Sequence, residues 1–183
     1  MHHGTAAAAA AGVGLKVNTF AAMPCWAVGT AVTTMAGQNM GAGDPNRAAG
    51  TARWGLALSL ALCGVTVVLF QLFAGPMVAL FDPDPAVVAA GVTYLRICCS
   101  VNFIFYTAMY TFDSFATGVG AAGLAMGNAL LHSVVMRLAL SWTLGGAMGY
   151  PGLCLAEMLA PIPSALLALL WFRLGRWRKR GRL

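Results

Sequence analysis

An all-α integral membrane fold is predicted by three properties of the chain. Of its 183 residues, 60% are hydrophobic and 9% charged, with a mean hydropathy of +0.77. Soluble domains carry about 25% charged residues, so polar side chains are too few here to cover a water-facing surface. Stretches without Asp, Glu, Lys or Arg, from Val17 to Gly43 and from Trp54 to Phe81, exceed the roughly 20 residues that cross a bilayer core. The net charge of +6 is also concentrated, because six of the eleven basic residues lie between Arg173 and Arg182. Such a cluster predicts a cytoplasmic anchor, since Lys and Arg are retained on that side of spanning helices. No nucleic-acid partner is expected, because the aromatics that would stack on bases sit inside apolar runs.

Taken in order, residues 1–15 are an Ala/Gly-rich N-terminal segment, compatible with helix and lacking the basic start of a secretory signal. A first spanning helix is predicted over about 16–38, kinked at Pro24, whose freed carbonyl must be covered by protein or a wet cavity. Gly37 to Arg47 reads as a tight turn at the membrane surface, in which Asp44 and Pro45 give the cap and first-turn signals of the next helix. That helix is predicted over about 48–78, ending at Gly75-Pro76 and the stiff acidic turn Phe81-Asp82-Pro83-Asp84-Pro85. A third, over about 86–115, starts behind Asp84 as a cap. The fourth, 121–144, and the fifth, 153–172, are separated by the glycine-rich link Gly145 to Gly152. Short connections predict one five-helix bundle over 16–172, followed by a basic cytoplasmic tail, 173–183.

Five spans put the two ends of the chain on opposite sides. With the Arg-rich tail inside, the loop before Arg47 and Arg53 is also inside and the acidic turn Asp82 to Asp84 is outside, so every charged loop agrees with the positive-inside rule. The N-terminus then falls outside without an export signal, and at least one further helix is expected upstream of residue 1.

The turn Gly37-Gln38-Asn39-Met40-Gly41-Ala42-Gly43, followed by Arg47-Ala48, resembles the Gly-Gln-Asn-x-Gly-Ala-Gly turn of the multidrug and toxic compound extrusion (MATE) transporters. Leu80-Phe81 with Asp84 and Val87, Tyr94-Leu95-Arg96, Gly118-Val119-Gly120 and Gly149 to Gly152 follow in the family's order. Together they cover about Gly14 to Trp177. The resemblance implies a chain from a twelve-helix transporter of two six-helix lobes, here most of the C-terminal lobe without its first helix. It implies part of a secondary active exporter of amphipathic or cationic organic compounds, multidrug efflux by Na⁺ or H⁺ antiport, in the cell (plasma) membrane. Its partners would be the lipid bilayer, the missing N-terminal lobe and a small organic substrate, with no cofactor beyond the coupling ion. A fragment with one wall of the transport cavity is expected to be inactive alone. Two positions depart from the family: Thr117 stands where many relatives have arginine, and the acidic residue some members use for cations falls near Tyr106. A lipid-linked precursor flippase of the same superfamily and a non-transporting membrane scaffold are the alternative readings.

The chain has no HExxH, Walker loop, CxxC pair or Ser, His, Asp constellation, so neither a catalytic residue nor a metal site is predicted and the protein is not expected to be an enzyme. Its five cysteines read as small apolar filler and His132 as a packed or hydrogen-bonding residue. The ionisable groups inside helices are Arg96, Asp113, Arg137 and Glu157, each needing a partner, a wet cavity or a shallow depth. Asp113, near the cytoplasmic end of its helix, reads as an interfacial residue or loop-facing cap. At 1.5 Å per residue, Arg137 lies about 10 Å and Glu157 about 6 Å from the outer ends of consecutive helices. Glu157 is therefore expected to pair with Arg137, or else with Arg96, as a structural clamp or an ion relay. Asn18, Met23, Trp26, Asn102, Tyr106 and Tyr110 are candidates to line a promiscuous cavity, with core or lipid-facing packing as the competing use.

Overall fold

Uncharged runs in this chain become helices because a backbone in hydrocarbon must satisfy its own hydrogen bonds. The computed structural model describes residues 2–98, 100 and 102–178, and among them it contains helices and turns with no strand. The helices are α1 (His2–Gly41), α2 (Pro45–Phe81), α3 (Pro85–Cys98), α4 (Asn102–Gly118), α5 (Ala122–Leu130), α6 (Arg137–Met148), α7 (Tyr150–Leu159) and α8 (Pro161–Leu174). A π-helical segment, Leu131–Met136, joins α5 to α6. Pro45–Phe81, Ala122–Met148 and Tyr150–Leu174 are each long and apolar enough to cross a membrane, and Pro85–Ile97 with Asn102–Gly118 can make a further span bent by 58°. At 40 residues α1 is longer than any of these.

The five predicted helices are recognisable, with different boundaries and four irregularities among the described residues. The first begins at His2 rather than near 16, because the alanine-rich segment has the highest intrinsic helix propensity and simply continues it. The second runs to Phe81 but kinks at Phe73 (φ −108°, ψ 18°), three residues before Pro76, where the ring removes a donor and crowds the preceding turn. The third is two helices, with Ser100 between them giving its hydroxyl proton to the Ile97 carbonyl in competition with the helix ladder. The fourth carries the π segment, and the fifth breaks at Ala160, just before Pro161.

Asp44 caps α2, its Oδ1 accepting from the backbone N–H of Asn46 at 3.1 Å and of Arg47 at 2.9 Å. Gly43 takes the left-handed conformation (φ 75°) that closes the turn between α1 and α2, while Asn39 Nδ2 donates to Thr51 Oγ1 at 3.1 Å and locks α1 onto α2. The motif residues Gly37, Gln38, Asn39, Gly41, Ala42 and Gly43 thus form a helix-to-helix corner. From there α1 packs along α2, α3 and α4, and α4 in turn packs on α2, α5 and α8. At Gly118 a methyl group would run into the backbone carbonyl of Thr33, so α4 crosses α1 at backbone contact. Thr33 Oγ1 fixes the same crossing by donating to the Ser114 carbonyl at 2.9 Å.

Two apolar clusters form the ends of the bundle. One gathers Val32, Ala36, Met40, Ala49, Phe112, Phe115 and Trp177 around the α1–α2 corner, and the other gathers Val17, Ala21, Phe70, Val78, Tyr94 and Leu95 at the opposite end. Trp177, within the predicted basic tail 173–183, packs into the bundle. Beyond the end of α8 the chain folds back so that Trp177, 1% exposed, meets Phe115 edge-on at 4.8 Å and donates from Nε1 to the Phe172 carbonyl at 3.0 Å. Arg178 then reaches Asn46 Oδ1 at 2.9 Å, which puts the start of the tail at the same end as the α1–α2 turn. The remaining tail residues from Lys179 lie outside the described residues.

Asp113 is not a loop-facing cap. Asn128 Nδ2 on α5 donates to its two oxygens at 2.9 and 3.0 Å and to the Ser164 carbonyl on α8 at 3.1 Å, so one amide clamps three helices.

The α1–α4 crossing yields a paired prediction. Gly118→Ala is expected to destabilise the fold by about 1–3 kcal/mol through overpacking, whereas Gly123→Ala, whose added methyl meets nothing within 4 Å, should stay within about 0.5 kcal/mol of the parent. Reversible unfolding in mixed micelles measures both; equal stabilities would show that the close approach carries no energy.

Candidate functional site

Between the two apolar clusters the helices part around a cavity of about 270 Å³. Residues of α1, α2 and α4 form most of its wall, and the π segment with α6 and α7 supplies the ionic side. On α1 the lining positions Asn18, Ala22, Cys25 and Trp26 recur at helical spacing, so they share one face. Cys63 and Val67 on α2, Asn102, Phe103, Tyr106 and Thr107 on α4, and His132 and Ser133 from the π segment complete the surround, with Arg137 and Glu157 at its edge.

Of the residues expected to line such a cavity, Asn18, Trp26, Asn102 and Tyr106 do so. Met23 does not: it lies five residues after Asn18, on the far side of α1, and is 47% exposed. Tyr110 shares the face of Tyr106 but lies one turn deeper, stacked on it at 6.2 Å and packed over Gly29 where the bundle has already closed. Arg137 Nη2 and Glu157 Oε2 form an ion pair at 42% and 20% side-chain exposure. Arg96 stays apart because it ends α3 on the face opposite the buried Tyr94 and Leu95.

The polar groups facing the cavity are connected. Trp26 Nε1 donates to the Tyr106 hydroxyl at 3.1 Å, and the Tyr106 ring meets His132 edge-on at 6.1 Å. Ser133 Oγ lies 3.4 Å from His132 Nδ1. Asn102, which lines the cavity, keeps its Oδ1 buried without a hydrogen-bond partner. Aromatic faces, an unpaired acceptor and an exchangeable ion pair make a surface suited to binding an amphipathic molecule. Among the described residues no group of three or more His, Cys, Asp or Glu side chains is arranged to hold a metal.

Phe103, an aromatic also expected to suit such a cavity, lines it, whereas His132, Ser133, Thr107 and the two cysteines were not expected as cavity residues. His132 reaches the cavity through the π segment, in which the Arg137 N–H bonds back to the His132 carbonyl and the face presented shifts relative to an α-helix. No local spacing signals that shift. For Thr107 a signal existed, since it neighbours Tyr106 on α4.

Comparison with known proteins follows from this geometry. Residues 1–143 match the family described as MatE. Over 139 residues the chain is 31% identical to multidrug resistance protein PmpM of Pseudomonas aeruginosa, covering 75% of this chain and 27% of that protein. It is 27% identical over 172 residues to the probable multidrug resistance protein NorM of Thermotoga maritima, covering 92% and 37%. The chain thus spans well under half the length of these relatives. Among solved structures, MATE transporter ClbM in complex with Rb⁺ superposes with a TM-score of 0.86 at 24% identity, over 96% of this chain and 42% of that one. An inward-facing multidrug resistance MATE family transporter gives 0.84 at 14% identity, over 92% and 39%.

The ion pair makes a measurable prediction. Removing either partner of a buried pair costs about 3–5 kcal/mol, and the partial exposure of this one places Arg137→Met or Glu157→Gln below that range. Each single change should nevertheless destabilise more than the double change, because each strands a charge. A double-mutant cycle in micelles reads this coupling, and strictly additive costs would mean that the contact contributes nothing.

Proposed function

Because the chain belongs to the MatE family, whose members are multidrug transporters and not enzymes, we propose that it forms the C-terminal lobe of an exporter of amphipathic or cationic organic compounds. Its cavity is one wall of the transport path. In this reading the exporter works by antiport with Na⁺ or H⁺ in the plasma membrane, the end bearing Arg47 and Arg178 facing the cytoplasm.

The observation that carries the reading is the chemistry of the cavity wall. Trp26, Phe103 and Tyr106 offer ring faces to an apolar body or an organic cation, and Asn102 Oδ1 is an unpaired acceptor. Glu157 can exchange Arg137 for a ligand's positive group without leaving either charge in hydrocarbon. Orientation is supported by the Arg178 to Asn46 contact, which gathers the basic turn and the basic tail at one end, while the acidic turn Asp82–Asp84 follows the far end of α2. Export itself requires two facing states biased by ligand and ion. A single wall offers no opposing lobe to rock against, so the chain alone does not transport.

Binding of tetraphenylphosphonium to the purified chain in detergent tests the cavity. The double change Trp26→Ala, Tyr106→Ala should weaken binding about tenfold, the loss of roughly 1.4 kcal/mol of ring contact. Unchanged affinity would remove the cavity from the reading. Ethidium efflux from drug-sensitive cells expressing only this chain should equal that of cells without it, and efflux above that level would overturn the one-wall argument.

A further inference from the structure

The amide that ties α4, α5 and α8 together is short of donors. Asn128 Nδ2 has two protons and meets three oxygens: Asp113 Oδ1 at 2.9 Å, Asp113 Oδ2 at 3.0 Å and the Ser164 carbonyl at 3.1 Å. Its own Oδ1 is buried without a hydrogen-bond partner, on a residue 6% exposed. Four acceptor oxygens thus share two N–H groups, and a buried acceptor left over in this way calls for a missing donor. The Ser164 hydroxyl is not that donor, since it is given to the Asn128 backbone carbonyl at 3.3 Å. Nor does a cation answer the carboxylate, because among the described residues no ion pair reaches Asp113. On α4 itself Tyr106 and Tyr110 turn toward α1, and α5 has no titratable side chain. From α8 there is Arg173, exposed and more than two turns beyond Ser164. From α2 there are Arg47 and Arg53, both exposed, and from α1 Lys16 near the opposite end, with His2 and His3 further still along the helix. Cys25, Cys63 and His132 border the cavity.

We propose that Asp113 is a proton-binding site, held as the neutral acid in a cyclic acid–amide pair with Asn128. One proton taken from water closes the count. The acid O–H donates to Asn128 Oδ1, one amide N–H to the other carboxyl oxygen and the second to the Ser164 carbonyl, so that three donors meet three acceptors. The two planar groups are already in contact, since Nδ2 stands within 3.0 Å of both carboxyl oxygens. The same proton removes a charge that would otherwise lie inside a spanning helix, about 8 Å before its end at Gly118, with no cation beside it. Asn128 also borders a groove with Leu124, Leu131 and Leu167, an apolar setting in which a neutral, fully paired group costs less than an ionised one. A sodium ion in place of the proton would need the amide turned over so that Oδ1 faced the carboxylate, and the N–H contacts would be lost; the proton keeps them. The site is two turns of α4 beyond Tyr106, where the acidic residue of some relatives would fall, and lies apart from the Arg137–Glu157 pair. It rests on the geometry of the lobe and is independent of the transport reading.

Infrared spectroscopy of the purified chain in detergent is the test. At neutral pH a carboxylic acid C=O band is expected, sensitive to exchange into heavy water and displaced when the chain is made with aspartate carrying carbon-13 at the side-chain carboxyl. The label separates Asp113 from Glu157, and the other aspartates, Asp44, Asp82 and Asp84, stand in the turns between helices. Asp113→Asn, which keeps a donor and an acceptor in the same places, should fold and abolish the band. Asn128→Leu should move it upward, to the frequency of an acid carbonyl without a partner. Sodium chloride in place of choline chloride should leave it unchanged. The proposal is overturned by the absence of an aspartic acid band at neutral pH, by its survival in Asp113→Asn, by its loss on adding sodium, or by an unmoved band in Asn128→Leu. If that last variant does not fold, the labelled band of the parent decides: below the frequency of an unpaired acid it supports the pair, and at that frequency it overturns it.

Discussion

The rest of this structure depends on one constraint: a polar group at membrane depth has to be satisfied from within the protein. Four threonines of the described helices α1 and α2 show the simplest response. Thr30, Thr33, Thr34 and Thr66 each return the hydroxyl proton to the carbonyl four residues earlier. Interruptions of the helices need more than that. Pro24 and the π segment lie beside the cavity, and Asn102 at the start of α4 lines it, so a freed backbone group there can meet another side chain or water. A freed backbone group left uncovered in hydrocarbon would cost several kcal/mol; the kink at Phe73 and the break at Ala160 stand apart from the lining residues. The cavity and the irregular backbone around it are therefore one solution, since the space covers the breaks and the breaks shape the space.

Holding such a space open requires rigidity at both ends of the bundle. At the α1–α2 corner it comes from backbone contact at Gly118 and from the aromatic group Phe115, Phe172 and Trp177. A little above that corner the Asn128 amide ties α4, α5 and α8 together. At the far end Gln71 reaches the Leu95 carbonyl at 3.3 Å and Tyr150 the Ala90 carbonyl at 3.4 Å. Neutral interhelical bonds of this kind are worth about 0.6 kcal/mol on average, so no single one defines the lobe. Their value lies in where they are: both ends are stitched, and in the middle the links run along the cavity wall, through Trp26 with Tyr106 and Arg137 with Glu157.

Much of the fold could be read in the sequence because its causes are local. Charge-free length, the Asp44-Pro45 start signal and the glycines of the turn act within a few residues of where they stand. The level of Arg137 and Glu157 was also readable, since rise per residue converts position into depth. What escaped depends on contacts between distant segments. Trp177 looks like part of a basic tail until Phe115 and Phe172 are brought beneath it. Met23 and Trp26 are equally attractive by residue type, and only the rotation of α1 separates them. His132 needed a π segment for which no residue pattern speaks, and Cys25 and Cys63 lie on helices whose register against each other no spacing encodes.

The ion pair shows how these levels meet. A lone charge near the bilayer centre costs about 2.5–3.5 kcal/mol on insertion scales, so neither Arg137 nor Glu157 is tolerable there without a partner or water. The structure supplies the partner, joining the two side chains at the edge of the cavity with the arginine the more exposed of the pair. Arg137 is the first residue after the π segment, so the extra backbone bond that turns His132 into the cavity also fixes where the guanidinium emerges. A regular α-helix through 131–136 would rotate Arg137 relative to His132 and oblige Glu157 to find another cation. The π segment thus has a cost in backbone regularity and a compensation in charge pairing, which gives a physical reason for the irregularity to sit where it does.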